Sequence, residues 1–429
     1  PDINERKYSK DWRKGAYIIV SHEVLRQIKE GTTPFVKEAF DHSVKVASFT
    51  RKSSSYIDTE KYISTNGDWA QIYQIKSDAG VYLQDSWMSY KQNYIKSYGQ
   101  VISDIKSKKW TTTSSNQAIT MQMAAAEDDQ AAFDGVWQWT KDHFQNRVQD
   151  KLISSEWGVD DKNKEILTDT NTTSYANVQA ALGLIEAYEK WGDKKYLSQA
   201  KILISDIQIH ETRTLNNRIV LLPFTTQLNA PSYAVNPSYG DPYAYKQFAK
   251  YYPKNAKFWN QAIKDYYKFI TELQASSKEN LVPDWVTINS AGRVIQSPPN
   301  TGAESFGYEA YRIPQILSRA YQNSNDEQAF TILTKFSEFY QKQLQLSKGN
   351  SDTVYAVYSI NGKPLVDFED VSTNVSMLSA FHVSGDDSLN RLEASKIVGQ
   401  YNKIGYWGEA NNVRNQQAVW RYYDQFYTR

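Results

Sequence analysis

Aromatic side chains are abundant in this chain, and a few carboxylates lie beside them. The 429 residues include 31 Tyr, 16 Phe and 12 Trp. Aromatic rings offer a broad apolar face, and tyrosine and tryptophan add a polar tip, so they suit both core packing and stacking against sugar rings. Asp284 precedes Trp285 in LVPDWVT, although an isolated Pro-Asp pair is typical of a turn. These residue types allow a site for hydroxyl-rich ligands, with plain packing as the alternative.

Composition and spacing argue against several other kinds of site. The chain contains no cysteine, so it has neither a disulfide nor a thiolate metal site. Its five histidines show none of the paired spacings of metal ligands. Its glycine-containing segments lack the phosphate-loop pattern. We therefore expect no metal and no other cofactor.

The charge pattern gives little reason to expect nucleic acid or membranes as partners. Lysine and arginine number 49 and aspartate and glutamate 48, for a net charge of +1, and both signs are mixed along the chain. Nothing in this pattern steers nucleic acid or an anionic membrane to the chain, and no apolar run is long enough to cross a membrane. We expect neither nucleic-acid binding nor membrane insertion, and the oligomeric state stays open.

From about residue 83 onward, apolar residues recur with the period of helices. In SYANVQAALGLIEAYEKWG, Val178, Leu182 and Ile185 fall at helical spacing. Similar periods occur in DPYAYKQFAKYY, NAKFWNQAIKDYYKFITEL, FGYEAYRIPQILSRAYQ and DEQAFTILTKFSEFYQKQL. Helical hairpins of roughly 50–60 residues would number about six from residue 83 to the end, enough to close into a ring. The pattern predicts an all-α framework.

Short strand-like segments interrupt the helices. RTLNNRIVLL, WVTINSAGRVIQ and VYAVYSINGKPLV each place a turn sequence between strand-forming residues, which predicts small β-hairpins on one rim. Residues 1–82 have a different pattern, in segments such as GAYIIV and SVKVASFT, typical of a small α+β module. We therefore predict an N-terminal module of unknown role at residues 1–82 and a helical domain at residues 83–429.

Six segments, taken in chain order, resemble one known family. They are LQDSWMSYKQNYIKSYGQVI, TTTSSNQAITM, TTSYANVQAALGLIEAYEKWG, NPSYGDPYAYKQF, LVPDWVT and GYEAYRIPQIL. In this order they resemble glycoside hydrolase family 8. The resemblance implies an (α/α)6 toroid of inner and outer helices with a long cleft across the inner helix ends. It also implies a polysaccharide or oligosaccharide partner, since members of the family cut β-1,4-glucans, xylan and chitosan with inversion.

Neutral residues stand where the family has catalytic acids. Inverting hydrolysis uses two carboxyl groups roughly 6.5–9.5 Å apart, one protonating the leaving oxygen and one activating water. At the acid position this chain has Ser115, whose hydroxyl is too weak an acid for that step near neutral pH. Tyr175, Asn177 and Gln179 replace the acids of a second motif and keep only hydrogen-bonding capacity. The resemblance implies sugar-binding roles for Ser115, Gln117, Tyr175 and Asn177.

The third motif keeps its carboxylate. LVPDWVT matches the family's Leu-x-Pro-Asp-Trp, whose aspartate is the base in one branch of the family. By this resemblance Asp284 is the candidate base and Trp285 a groove residue. YEAYRIP matches a further motif that directs Tyr308, Glu309 and Arg312 towards the cleft, where the planar guanidinium of Arg312 can orient a carboxylate or a sugar hydroxyl.

Substitutes for the missing acid can be sought near the matched motifs. Asp169 and Glu304 precede the second and third motifs and are the candidates to protonate the leaving group. In NPSYGDPYAY, Asp241 and Pro242 fit a helix N-cap and a first-turn proline. Tyr239 precedes them and is the candidate stacking platform, with simple packing as the alternative.

Three functions are compatible with this pattern. The first is a carbohydrate-active protein that, if active, hydrolyses polysaccharides internally with inversion. The second is a catalytically inactive glycan-binding or exopolysaccharide-assembly protein, a pseudoenzyme, which the neutral replacements favour. The third is a protein-interaction scaffold, because one fold hosts unrelated functions. From the family resemblance and the lack of cysteine we expect an extracellular or cell-surface location.

Overall fold

The structure is a computed structural model. It describes residues 83–84, 86–103, 110–225, 231–296, 304–346, 354–384 and 413–428. The chain divides into two compact units, one of Ser86–Tyr422 and one of Pro1–Asp85 with Tyr423–Arg429. The predicted N-terminal module, residues 1–82, lies outside the described residues, so the predicted domain division stays a prediction.

Paired helices form the framework of the larger unit. Residues 86–94 form α1. The helices that follow are α2 (Ser114–Ala126), α3 (Gln130–Phe144), α4 (Ser174–Trp191), α5 (Lys194–His210), α6 (Pro242–Tyr251), α7 (Ala256–Ala275), α8 (Arg312–Ser324), α9 (Glu327–Leu346), α10 (Val371–Ser384) and α11 (Val413–Tyr423). Three residues separate α2 from α3 and two separate α4 from α5. Such short connections make each of these pairs an antiparallel hairpin.

Capping residues define several of the helix ends. The side chains of Thr113 and Asp129 accept hydrogen bonds from the first turns of α2 and α3. Asp241 caps α6 in the same way, with Pro242 in the first turn, as the sequence predicts. Gly192 ends α4 in the left-handed conformation, with φ of 74°. The helix boundaries therefore follow from local sequence.

The inner helices are buried on nearly all sides. On α4, Val178, Leu182 and Ile185 are fully buried, as predicted, and so are the residues between them. A helix that is enclosed all round lies inside the protein rather than at its surface. Helices α2, α4, α6, α8 and α10 pack against one another in that order, and each of the first four lies beside the outer helix that follows it. Gln417 of α11 donates to the backbone oxygen of Asn116 on α2, which places α11 next to the first inner helix.

A buried polar network joins four inner helices. Arg319 of α8 forms an ion pair with Asp241 at the start of α6. The amide of Gln179 on α4 donates to Asp241 at 3.0 Å, and the amide of Gln122 on α2 donates to Gln179 at 3.0 Å. Buried polar groups specify one arrangement when they are mutually satisfied. The network therefore helps to fix how the inner helices meet.

Small antiparallel sheets lie between the helices in the chain order. The strands are β1 (Thr111–Thr113), β2 (Ser154–Val159), β3 (Glu165–Thr172), β4 (Thr212–Leu215), β5 (Arg218–Leu221), β6 (Ser232–Val235), β7 (Val286–Asn289), β8 (Val294–Gln296), β9 (Ser305–Phe306) and β10 (Tyr358–Ser359). The predicted hairpins β4–β5 and β7–β8 are confirmed. Asn216 and Asn217 turn the first with φ of 48° and 63°. The third predicted segment reverses through a bridge between Tyr358 and Pro364, but its strand β10 also pairs with β9.

Candidate functional site

A cleft of about 490 Å³ lies where several inner helices begin. Thr113, Thr173 and Tyr311 are the N-cap residues of α2, α4 and α8, and Val413 is the first residue of α11. All four line the cleft. Helix N-termini carry partial positive charge, so this end of the barrel favours negative or polar ligands. Polar, charged and aromatic side chains complete the lining: Ser115, Tyr175, Tyr239, Glu309, Arg312, Arg414, Gln417 and Arg421.

Aromatic rings form one wall of the cleft. The rings of Tyr175 and Tyr239 lie 5.7 Å apart, and Trp285 packs edge-on against Tyr239 at 5.8 Å. Trp285 supports Tyr239 and is not itself a lining residue. Burial raises the pKa of the Tyr239 phenol above its usual range, so this side chain stays neutral. Tyr175 is only 6% exposed and backs the wall, whereas the half-buried Tyr239 offers an apolar face and a hydroxyl group to a sugar.

Glu309 is the one carboxylate among the described residues that line the cleft. Its Oε2 accepts a hydrogen bond from the Asn236 amide at 2.9 Å and pairs with the Arg312 guanidinium. Arg312 also donates to the hydroxyl of Ser238 at 3.4 Å. No described residue donates to Oε1. A carboxylate with one oxygen held and the other available can accept a proton from a bound water.

Asp284 lies behind Glu309 and is almost fully buried. Its Oδ1 accepts hydrogen bonds from the backbone N–H groups of Gly307, Glu309 and Ala310 at 3.1, 3.1 and 2.7 Å. Its Oδ2 accepts from the Ser305 hydroxyl at 3.0 Å. Burial raises the pKa of Asp284, against the opposing effect of these donors. Asp284 does not line the cleft, and its contacts hold the segment that carries Glu309, so its role as base stays a prediction.

The two substitute acids are placed outside the lining of the cleft. Glu304 is exposed, in the turn before β9. Asp169 lies on β3 opposite Glu156, and its Oδ1 accepts from the backbone N–H of Asn171 at 2.9 Å. Within the described lining, no side chain supplies a second carboxyl group beside Glu309. Protonation of a leaving group by Glu304 or Asp169 stays a prediction.

The residues matched to the two acid motifs point in different directions. Ser115 is half-buried and lines the cleft, whereas Gln117 is fully buried and bonds to backbone near residue 100 and to α3. Asn177 is fully buried too, accepting from the Ile153 N–H at 2.8 Å and donating to the Glu211 carboxyl at 3.0 Å. Side chains two positions apart on a helix point roughly 200° apart. Ser115 and Tyr175 therefore face the cleft, whereas Gln117 and Asn177, two positions further along the same helices, face the core.

Helix α11 supplies a wall that the motifs do not include. Arg414 lies over the rings of Tyr308 and Tyr311, at 4.9 and 5.6 Å from their centroids. Tyr308 is half-buried beneath it and is not a lining residue. Arg421 donates to the Tyr175 hydroxyl at 3.3 Å. In VRNQQAVWRYY, polar residues at 414, 417 and 421 form a helical stripe, and this is the signal that would have identified them.

In the described ranges, no cluster of three or more histidine, aspartate or glutamate side chains is arranged to hold a metal ion. None of the helices in those ranges combines the length and the apolar character that crossing a membrane requires.

Comparison with known proteins identifies the family. The model of glycosyl hydrolases family 8 matches residues 66–358, more than half of the chain. The chain belongs to glycoside hydrolase family 8. An endoglucanase of Escherichia coli O157:H7 is 28% identical to this family 8 chain over 204 residues, which are 47% of this chain and 53% of that protein. The chain spans about half the length of the curated relatives it matches.

Solved structures share the fold of this family 8 chain. An endo-1,4-D-glucanase from Vibrio fischeri ES114 superposes with a TM-score of 0.67 at 22% identity, covering 79% of this chain and 93% of that one. A cold-adapted family 8 xylanase in complex with substrate superposes with a TM-score of 0.69 at 12% identity, covering 88% and 96%. These similarities confirm the predicted all-α (α/α)6 fold.

Proposed function

We propose that this family 8 chain binds a polysaccharide in the cleft and hydrolyses it slowly with inversion, with Glu309 as the base. The observation that carries the proposal is the state of the Glu309 carboxylate. Asn236 and Arg312 hold Oε2, while Oε1 has no donor among the described residues. The bonds to Oε2 therefore fix the position of the Glu309 carboxylate, while Oε1 can still accept a proton. Since polymers of this kind occur outside cells, an extracellular or cell-surface location belongs to the same proposal.

The cleft side chains divide the reaction between them. Tyr239 stacks against a sugar ring, and the buried Tyr175 beside it holds the Tyr239 ring in position. Oε1 of Glu309 takes a proton from a water, whose oxygen bonds to the anomeric carbon as the bond from that carbon to the leaving oxygen breaks. Ser115 donates a hydrogen bond to the leaving oxygen, which takes its proton from solvent. Because general acid assistance contributes roughly 10²–10⁴-fold, turnover is expected to be slower by that factor than with two carboxyl groups.

One observation favours a second candidate, glycan binding without cleavage. Ser115 occupies the family's acid position, and no second carboxylate lines the described cleft. If solvent does not protonate the leaving oxygen, the same contacts hold the polymer and release it unchanged. Binding would then be the whole function, as in a protein that assists the assembly of an exopolysaccharide.

The test measures binding and cleavage on the same polymers. The full chain is incubated with β-1,4-glucan, mixed-linkage β-glucan, xylan and chitosan, and both affinity and new reducing ends are measured. We expect slow release of reducing ends of inverted configuration, abolished in Glu309→Gln with affinity kept within a few-fold, and unchanged in the exposed control Glu165→Gln. Binding with no release by the parent chain supports the second candidate. A Glu309→Gln variant that cleaves at the parent rate rules out the assigned base.

A further inference from the structure

The cleft carries a surplus of positive charge. Its described lining contains three arginines, Arg312, Arg414 and Arg421, and one carboxylate, Glu309, which makes three positive and one negative group and a net charge of +2. The entire chain of 429 residues has a net charge of only +1. Building on the proposed polysaccharide-binding function, we propose that the polysaccharide this cleft recognises is anionic, bearing carboxylate or phosphate groups.

The hydrogen-bond partners of Arg421 are neutral groups. One guanidinium nitrogen donates to the Tyr175 hydroxyl at 3.3 Å and the other to the Gln179 side-chain oxygen at 3.1 Å. Tyr175 and Gln179 occupy two of the positions where the family motif has acids. With carboxylates there, Arg421 would form internal ion pairs. Because the groups at these positions are neutral, they hold the Arg421 side chain in place without neutralising its positive charge, which can then attract an anionic ligand.

Arg414 is held by aromatic rings rather than by a carboxylate. Its guanidinium lies 4.9 Å from the ring centre of Tyr308 and 5.6 Å from that of Tyr311. Its Nε is buried and has no hydrogen-bond acceptor among the described residues. Stacking fixes the plane of a guanidinium and leaves its edge free to bond both oxygens of a carboxylate or phosphate. The missing acceptor is the group that an anionic ligand would supply.

The spacing of the arginines favours a polymer over a small anion. Arg414 and Arg421 are seven residues apart on α11, which separates them by about 10.5 Å along the helix axis. The guanidinium of Arg312 lies over the ring of Tyr175, 5.0 Å from its centre. A chain with charges on successive sugars meets several of them, in a region where helix N-termini add further positive potential.

The test changes only the charge of the ligand. β-1,4-Glucan oligosaccharides are compared with the same oligosaccharides oxidised at C6 to glucuronates and with C6-phosphorylated forms, by titration calorimetry on the full chain at 50 and 500 mM NaCl. We expect at least one charged form to bind about tenfold or more tightly than the neutral form. The preference should shrink at high salt, because salt screens charges at an open cleft. The arm that shows the larger preference distinguishes carboxylate from phosphate.

Matched arginine variants connect that preference to the cleft. Arg414→Gln and Arg421→Gln should each weaken binding of the preferred charged form about tenfold and of the neutral form less than about twofold. Arg293→Gln removes the same charge from an exposed turn outside the cleft and should change neither. Because Arg421 also contacts Gln179, circular dichroism checks folding, and Arg414→Lys provides a variant that keeps the charge but loses the planar edge.

The outcomes separate this inference from the proposed function. Equal affinity for neutral and charged forms overturns the inference but leaves a polysaccharide-binding cleft in place. If Arg414→Gln and Arg421→Gln still prefer the charged form over the neutral form, the inference is also overturned, because other residues would then bind the charged groups of the ligand. Failure of every oligosaccharide form and of every polymer in the panel to bind overturns both proposals.

Discussion

Asp284→Ala tests whether this aspartate anchors the segment that carries Glu309. The substitution removes the acceptor of three backbone N–H groups, those of Gly307, Glu309 and Ala310. Asp284 is only 9% exposed, so water does not readily replace its carboxylate. A buried donor left without a partner costs about 1–3 kcal/mol, and neighbouring losses are not additive because the segment relaxes. We expect the free energy of unfolding to fall by about 3–5 kcal/mol.

Asp284→Asn separates the anchoring role from a role in chemistry. The amide oxygen can still accept from the three N–H groups, and the amide nitrogen faces the Ser305 hydroxyl, which can accept in turn. We expect a loss of about 1–2 kcal/mol, because hydrogen bonds to a charged acceptor are replaced by bonds to a neutral one. Urea unfolding followed by tryptophan fluorescence gives both stabilities. Reducing-end assays on the folded proteins should show Asp284→Asn retaining most of the parent activity.

The opposite pattern would refute this reasoning. Suppose Asp284→Asn unfolds at the same urea concentration as the parent chain but loses its release of reducing ends a hundredfold, while Glu309→Gln keeps that release. The base would then be Asp284, as the sequence motif suggests. Its Oδ2, which accepts from the Ser305 hydroxyl, would then have to reach the attacking water in the productive complex.

Three further predictions concern the acid position, the aromatic wall and a buried carboxyl group. Ser115→Glu should raise reducing-end release about 10²-fold by installing a proton donor, whereas Ser115→Gln should not; equal rates in the two variants would contradict the assignment of this position. Tyr239→Ala should weaken polysaccharide binding about tenfold in calorimetry, and Tyr239→Phe should keep most of the affinity; a Phe variant as weak as Ala would argue against stacking. Burial raises the pKa of Glu211 to about 8 from an ordinary value near 4.5. Between these pH values the folded state keeps a proton that the unfolded state has released, so this group's contribution to stability is complete below pH 4.5 and is lost as pH rises through 8. In urea titrations, the free energy of unfolding of the parent chain should therefore fall between pH 5 and 9 by a few kcal/mol more than that of Glu211→Gln. If the free energies of unfolding of the two proteins change with pH in parallel, this account is excluded.

The helical framework could be predicted from the sequence because its signals are local. The periodic positions Val178, Leu182 and Ile185 are fully buried, as their spacing indicates. The Asn216–Asn217 pair turns its hairpin in the left-handed conformation that asparagine tolerates. These outcomes depend on backbone preferences and on which side of a helix is apolar. Both can be read within a few residues.

The cleft was only partly predictable, since a motif does not show which way each side chain points. Ser115, Tyr175, Tyr239 and Arg312 line the cleft. Gln117, which belongs to the same motif as Ser115, turns into the core instead. The 100° rotation per residue explains this difference, but only once the packed face of each helix is known.

The sequence by itself determined the helix period, the turns and the absence of cysteine. Tertiary structure alone decided that Arg414 and Arg421 join the cleft, because α11 comes from the far end of the chain and packs beside α2. It also decided that Asp284 supports Glu309, since its donors lie 23 to 26 residues further along. A local pattern encodes the face that a helix presents. The neighbour that meets that face depends on how the whole barrel closes.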